Sequence, residues 1–104
     1  MTTPTNREEL HDMLEEILGN NHVYFDPPEG FRMKYPAIVY HRNIINSDHA
    51  DNVPYKHTFT YTVTLIDEDP DSETLSRMIN IPMCKHNNHF TSAGMNHDVF
   101  TIKI

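Results

Sequence analysis

Apolar residues along positions 6 to 18 recur with the period of a helix. Leu10, Met13, Leu14, Ile17 and Leu18 stand at i, i+3, i+4, i+7 and i+8, which makes one stripe. Thr5 with Glu8, or Asn6 with Glu9, offers a capping box at its start. Gly19 follows the last stripe residue, where a left-handed C-cap is favoured. The pattern then changes. Val23-Tyr24-Phe25 is a short strand candidate, cut by Asp26-Pro27-Pro28-Glu29-Gly30, because adjacent prolines cannot feed a hydrogen-bond ladder. Tyr35-Pro36 restarts the chain extended. The next strand is predicted from Ala37 to Arg42, with Ile38 and Tyr40 on one face and Ala37 and Val39 on the other.

Residues 43 to 55 are polar and irregular, with Pro54 near the end, and predict a long loop, of a length that is usually functional or disordered. Ile44 and Ile45 sit in it without an obvious partner, so they either tuck back onto the sheet or form an intersubunit contact. Residues 57 to 66 alternate cleanly. Phe59, Tyr61, Val63 and Leu65 make an apolar face against the helices, and Thr58, Thr60, Thr62 and Thr64 make a face for water or another subunit. One wet face suits an antiparallel or mixed sheet. Asp67-Glu68-Asp69-Pro70-Asp71-Ser72-Glu73 reads as a helix start, with Asp69 as cap and Pro70 at the first helical position. Leu75, Met78 and Ile79 form the stripe of that short helix, and Pro82 stops it. Cys84 to Thr91 and Asp98 to Ile104 predict a closing hairpin about Ser92-Ala93-Gly94-Met95, with Phe100, Ile102 and Ile104 alternating. The order predicts a single domain over residues 1–104. It is an α+β two-layer fold, a small, mostly antiparallel or mixed sheet with two helices packed on one face.

Composition narrows the partners. The 104 residues carry 15 acidic and 8 Lys or Arg side chains, a formal charge of −7. That argues against a basic grip on nucleic acid and against a polybasic membrane surface. No apolar run reaches the ~20 residues of a spanning helix, and Met1 to Glu8 lacks the apolar core of a signal peptide. Cys84 is the single cysteine, so no internal disulfide framework exists, and folding in a reducing cytoplasm is expected. Apolar residues make up 38% of the chain. The usual figure is about 45–50%, counted with Gly and without Tyr. A core that thin is often completed by a neighbouring subunit.

Eight histidines raise the question of metal. The densest group is Cys84, His86 and His89, with His97-Asp98 across the turn, and zinc accepts such ligands. On a strand, however, Cys84 and His86 face one way and His89 the other, so the three cannot close one tetrahedron. Asp67, Asp69, Asp71 and Glu73 alternate like a calcium loop, but the sixth place is Ser72 and the twelfth is Met78, where the EF-hand needs Gly and Glu. The nucleophile candidates are the scattered serines and Cys84, the latter with His86 as base; a small buried strand residue is the ordinary structural role of Cys84. Three glycines cannot build a phosphate-cradling loop. No catalytic, cofactor-binding or metal-binding residue is therefore assigned. As a group, the histidines would remove negative charge below about pH 6.5 and so alter assembly.

In order, the chain has an amphipathic helix ending Leu18-Gly19-Asn20, then Val23-Tyr24-Phe25-Asp26-Pro27-Pro28, then Met33-Lys34-Tyr35-Pro36-Ala37-Ile38-Val39-Tyr40. Ala50-Asp51-Asn52-Val53-Pro54-Tyr55 and a Thr-rich strand closing on Ile66-Asp67-Glu68-Asp69-Pro70-Asp71-Ser72 follow. In this succession it resembles the small tail-terminator, or tail-completion, proteins of long-tailed bacteriophages, from about residue 8 to residue 104. The P-x-I-V-Y strand and the D-x-D-P-D-S helix start carry most of the likeness. The resemblance implies a virion protein of the tail or neck, assembled in the host cytoplasm. It would form a homo-oligomeric ring, typically hexameric, that ends tail-tube polymerisation and meets the head-tail connector or stopper protein. DNA would pass through its channel without specific binding, and no membrane or cofactor is implied. The His- and Asn-rich stretch 86–89 has no counterpart in that pattern. A negative ring would not hold moving DNA, and a closing head-to-tail interface is required. Ile44, Ile45 and Tyr55 are the expected interface residues. The alternatives are a head-side adaptor or stopper of the connector, a small His/Cys metal-binding protein or enzyme built on Cys84, His86 and His97, and a generic adaptor without a ring.

Overall fold

The computed structural model describes residues 4–50 and 53–104. The first helix, α1 (Arg7–Leu18), starts where Asn6 caps it: the Asn6 side chain accepts a hydrogen bond from the Glu9 amide at 2.9 Å. Of the two predicted capping boxes, this is the one that forms. Its return arm goes one residue further out, since the Glu9 carboxylate accepts from the amide and hydroxyl of Thr5. The Thr5 hydroxyl, and then its amide, hold the Glu9 carboxyl below its usual range. Gly19 ends the helix at φ 84°, the left-handed conformation a side chain resists. All five stripe residues of α1 are buried.

Five strands follow: β1 (Val23–Phe25), β2 (Ala37–Ala50), β3 (Val53–Asp67), β4 (Cys84–Ser92) and β5 (Met95–Lys103), with helix α2 (Glu73–Ile79) between β3 and β4. They form one mixed sheet in the order β1-β2-β3-β5-β4. Only β1 and β2 run parallel. The last strand thus enters between β3 and β4. A two-residue turn makes this possible: Ala93 and Gly94 both have positive φ, as a type I′ hairpin requires. The fold is α+β in two layers. Leu10, Leu14 and Met78 from the helices close on Ile38, Tyr40, Val63, Leu65, Phe100 and Ile102 from one face of the sheet. The alternation of residues 57 to 66 therefore faces as predicted, with Tyr61, Val63 and Leu65 buried. On the opposite face Ala37, Thr60 and Ile66 are buried, and Val39, Thr62, Thr64, Val99 and Thr101 are half-buried.

Three expectations change. Residues 43 to 50 and 53 to 55 are not an irregular loop: β2 runs on to Ala50 and β3 begins at Val53, and the two strands pair antiparallel. Cross-strand pairing from Ile45↔Phe59 to Asp48↔Lys56 satisfies the backbone, and polar residues are tolerated because Asn43, Ile45, Ser47 and His57 are exposed. The register slips twice, between Arg42 and Ile45 and between Asp48 and His49. The second slip adjoins Pro54, which has no N–H to give a ladder.

The second helix starts later than predicted. Ser72, not Asp69, is the N-cap, accepting from the Leu75 amide at 3.3 Å. Asp67 and Asp69 instead close successive turns, each accepting at 2.9 Å from the amide two residues on. The predicted stripe holds at Leu75 and Met78 and fails at Ile79. Thr74 and Met78 are buried, Leu75 packs partly against the core, and Ile79 is 55% exposed. Ile81, just past the helix, takes the core position instead. The third change is at His89, on β4.

Candidate interaction surfaces

The β2–β3 pair outgrows the sheet. β3 pairs with β5 up to Thr60↔Lys103, and reciprocal backbone hydrogen bonds between Phe59 and Ile104 at 3.1 and 2.9 Å extend that edge by one step. Further out, among the described residues, β2 and β3 pair only with each other. The molecule is correspondingly long, 51 × 31 × 23 Å. Ile45 pairs with Phe59 and lies 45% exposed at the start of this free arm. Ile44 falls in the first register slip and Tyr55 in the second; their side chains lie outside the described residues. The structure therefore places Ile44 and Ile45 together, and puts Tyr55 roughly 13 Å further along the arm at strand rise.

At the base of the arm, on the helix side, lies a depression of about 460 Å³ lined by Arg7, Phe25, Asp26, Arg42, Phe59 and Tyr61. The Arg7 guanidinium sits 4.6 Å from the Phe25 ring centroid, a cation–π contact. Behind it Tyr40 is buried, with its hydroxyl 2.7 Å from His11 Nδ1. Burial pushes the Tyr40 phenol up, and Arg7 pulls part of the way back.

At the opposite edge, β4 is exposed along nearly its whole length. Its register with β5 slips between His86 and Asn88. This bulge corrects the predicted side-chain parity. Asn87 is the extra residue, so His89 returns to the face of Cys84 and His86, opposite Asp98, instead of pointing away. The slip could not be read from alternation alone. The face-sharing does not make a metal site. His86 Nε2 meets Asp98 Oδ1 at 3.1 Å, while His89 Nε2 meets Asn96 Oδ1 at 3.1 Å. Among the described residues no three His, Cys, Asp or Glu side chains converge to hold an ion. His97 is on the other face, its ring stacked on Phe90 at 4.7 Å. Burial pushes the Cys84 thiol up to about 11, the reverse of what an activated nucleophile needs.

Exposed apolar side chains that pattern reasoning passed over are Phe31, Tyr35, Met83 and Phe90. Phe31 packs edge-on against Tyr24 at 5.2 Å at the β1 end of the sheet; Met83 and Phe90 are at the β4 end. Exposure was their only signal, and it is a property of the folded surface. No described helix is long and apolar enough to cross a membrane. Compared with known proteins, the chain matches no protein-family model and no curated protein.

Proposed function

We propose that this chain is a ring-forming structural subunit of the tail-terminator kind. In this reading it sits at the head-proximal end of a phage tail tube, stops tube growth and joins the tail to the head connector. The observation that carries the reading is the β2–β3 arm. It extends beyond the sheet that anchors it, and it begins with an exposed isoleucine, Ile45. Such an arm gains cover from a neighbouring subunit or the tube. The sequence resemblance over nearly the whole chain and the α+β fold support the same reading. The charge of −7 suits a channel that DNA crosses without being held. No catalytic step is assigned to the chain.

The test is assembly. Analytical ultracentrifugation and negative-stain imaging of the purified protein, alone and mixed with tail-tube polymer, should give closed rings or caps at tube ends. A protein that stays monomeric and leaves tube length unchanged overturns the reading. Rings that bind an isolated portal but never a tube would favour the head-side adaptor position instead.

A further inference from the structure

The β4 edge and the outer face of α1 carry opposite charge. At one end, β4 exposes Lys85, His86, Asn87, Asn88, His89 and Phe90, and no carboxylate. Asp98 is the one acid on β4 or β5, and it is buried and held by His86. Lys85 and Lys103 line a depression of about 420 Å³ together with Cys84, Asn87, Thr101 and Met83, which is 64% exposed. The outer edge of β4 also leaves a row of backbone groups without a strand partner among the described residues. Native proteins commonly cover such an edge with a helix or loop.

At the other end, α1 lies over β1 and β2. Its outer surface exposes Glu8, Glu9, Asp12 and Glu16. Arg7, exposed at the start of the helix, lies over Phe25, and the half-buried His11 meets Tyr40, so the two sit on the side of α1 away from Asp12 and Glu16. Because β1 and β4 are opposite edges of one sheet, a single copy can use both surfaces at once.

We infer that the β4 edge, centred on Lys85, Lys103 and Met83, docks the acidic outer face of α1 from a second copy of this chain, head to tail. The inference rests on the ring reading above and assigns one subunit contact of that ring, beside the arm. Two different patches that complement each other form a heterologous interface, which either closes into a ring or runs on as a chain. The acidic turn Asp67 to Asp71 sets the direction. Asn96 donates to the Glu68 carbonyl at 3.1 Å, which places that turn at the Thr91 end of β4. Like charge there steers the incoming helix toward the Lys85 end.

A charge exchange tests this. One variant carries Lys85→Glu and Lys103→Glu; the other carries Asp12→Lys and Glu16→Lys. All four positions are exposed, so both variants should keep the wild-type circular dichroism. Each variant alone should self-associate about tenfold or more weakly than wild type in sedimentation. An equimolar mixture should recover wild-type association, because each copy then meets an oppositely charged neighbour. If the α1 variant alone associates like wild type, if the mixture fails to recover, or if wild type itself does not associate, the inference is overturned. Wild-type rings that survive both variants would remove this contact and leave the ring reading standing. Open chains or dimers that show the full exchange pattern would keep the contact and remove the ring.

Discussion

His86 Nε2 lies 3.1 Å from Asp98 Oδ1 across the β4–β5 pair, and this contact joins an exposed imidazole to a carboxylate that is only 7% exposed. The His86 ring also stands edge-on to Phe100 at 5.1 Å. A buried carboxylate without a partner is costly, so the imidazole stabilises by satisfying it. Replacing His86→Ala should cost about 1–3 kcal/mol in urea unfolding. Adding Asp98→Asn to that variant should recover part of the loss, since an amide is cheaper to bury unpaired than a carboxylate. Equal losses for His86→Ala with and without Asp98→Asn would show that the pair is not coupled.

The start of α2 makes a paired prediction. Met78→Ala should cost about 2–5 kcal/mol, because a fully buried side chain leaves a cavity. Ile79→Ala, one position on and 55% exposed, should stay within about 0.5 kcal/mol. Ser72→Ala should cost about 1 kcal/mol as the loss of an N-cap. Thermal or denaturant melts of the three variants check the helix register; a large loss at Ile79 would place the helix as the D-x-D-P-D-S pattern first suggests.

Cys84 should be slow to alkylate at neutral pH. Its thiol has a pKa raised from 9.0 to about 11 by burial, so the thiolate is scarce in the folded state. Below pH 9 the thiol is protonated in both folded and unfolded chains. As pH rises from 9 toward 11 the unfolded chain releases its proton first, and stability falls. Iodoacetamide labelling followed by mass spectrometry should show a rate that climbs steeply only above pH 9 in the folded protein. The same chain in denaturant should label readily near pH 9. A Cys84→Ala variant should lose that part of the alkaline slope.

The free arm predicts a separation of stability from assembly. Ile44→Asp with Ile45→Asp should leave rings unformed by negative-stain imaging. Ile45→Asp alone should change unfolding stability by no more than about 0.5 kcal/mol, given its exposure. Intact assembly in the double variant would exclude this part of the arm from the contact.

By itself the sequence determined what depends on neighbours in the chain. Helix α1 was legible from its stripe, its Asn6–Glu9 cap and Gly19, because capping and amphipathicity are local. The Tyr61-Val63-Leu65 face and the Ala93-Gly94 turn were legible for the same reason. The layer arrangement followed, since two apolar stripes and one-sided strands can be buried together in few ways. Tertiary structure decided the rest. The stretch 43 to 55 has little apolar alternation, and only cross-strand pairing with a partner that is itself polar makes residues 43 to 50 and 53 to 55 β. The bulge at Asn87 turned His89 to the other face by one residue of register, which alternation cannot count. Ser72 displaced Asp69 as cap because Asp67 and Asp69 were spent on their own turns. The separation of the basic β4 edge from the acidic outer face of α1 belongs to the fold as well. It arises because β5 enters between β3 and β4, leaving Lys85 on an outer edge and α1 over the other.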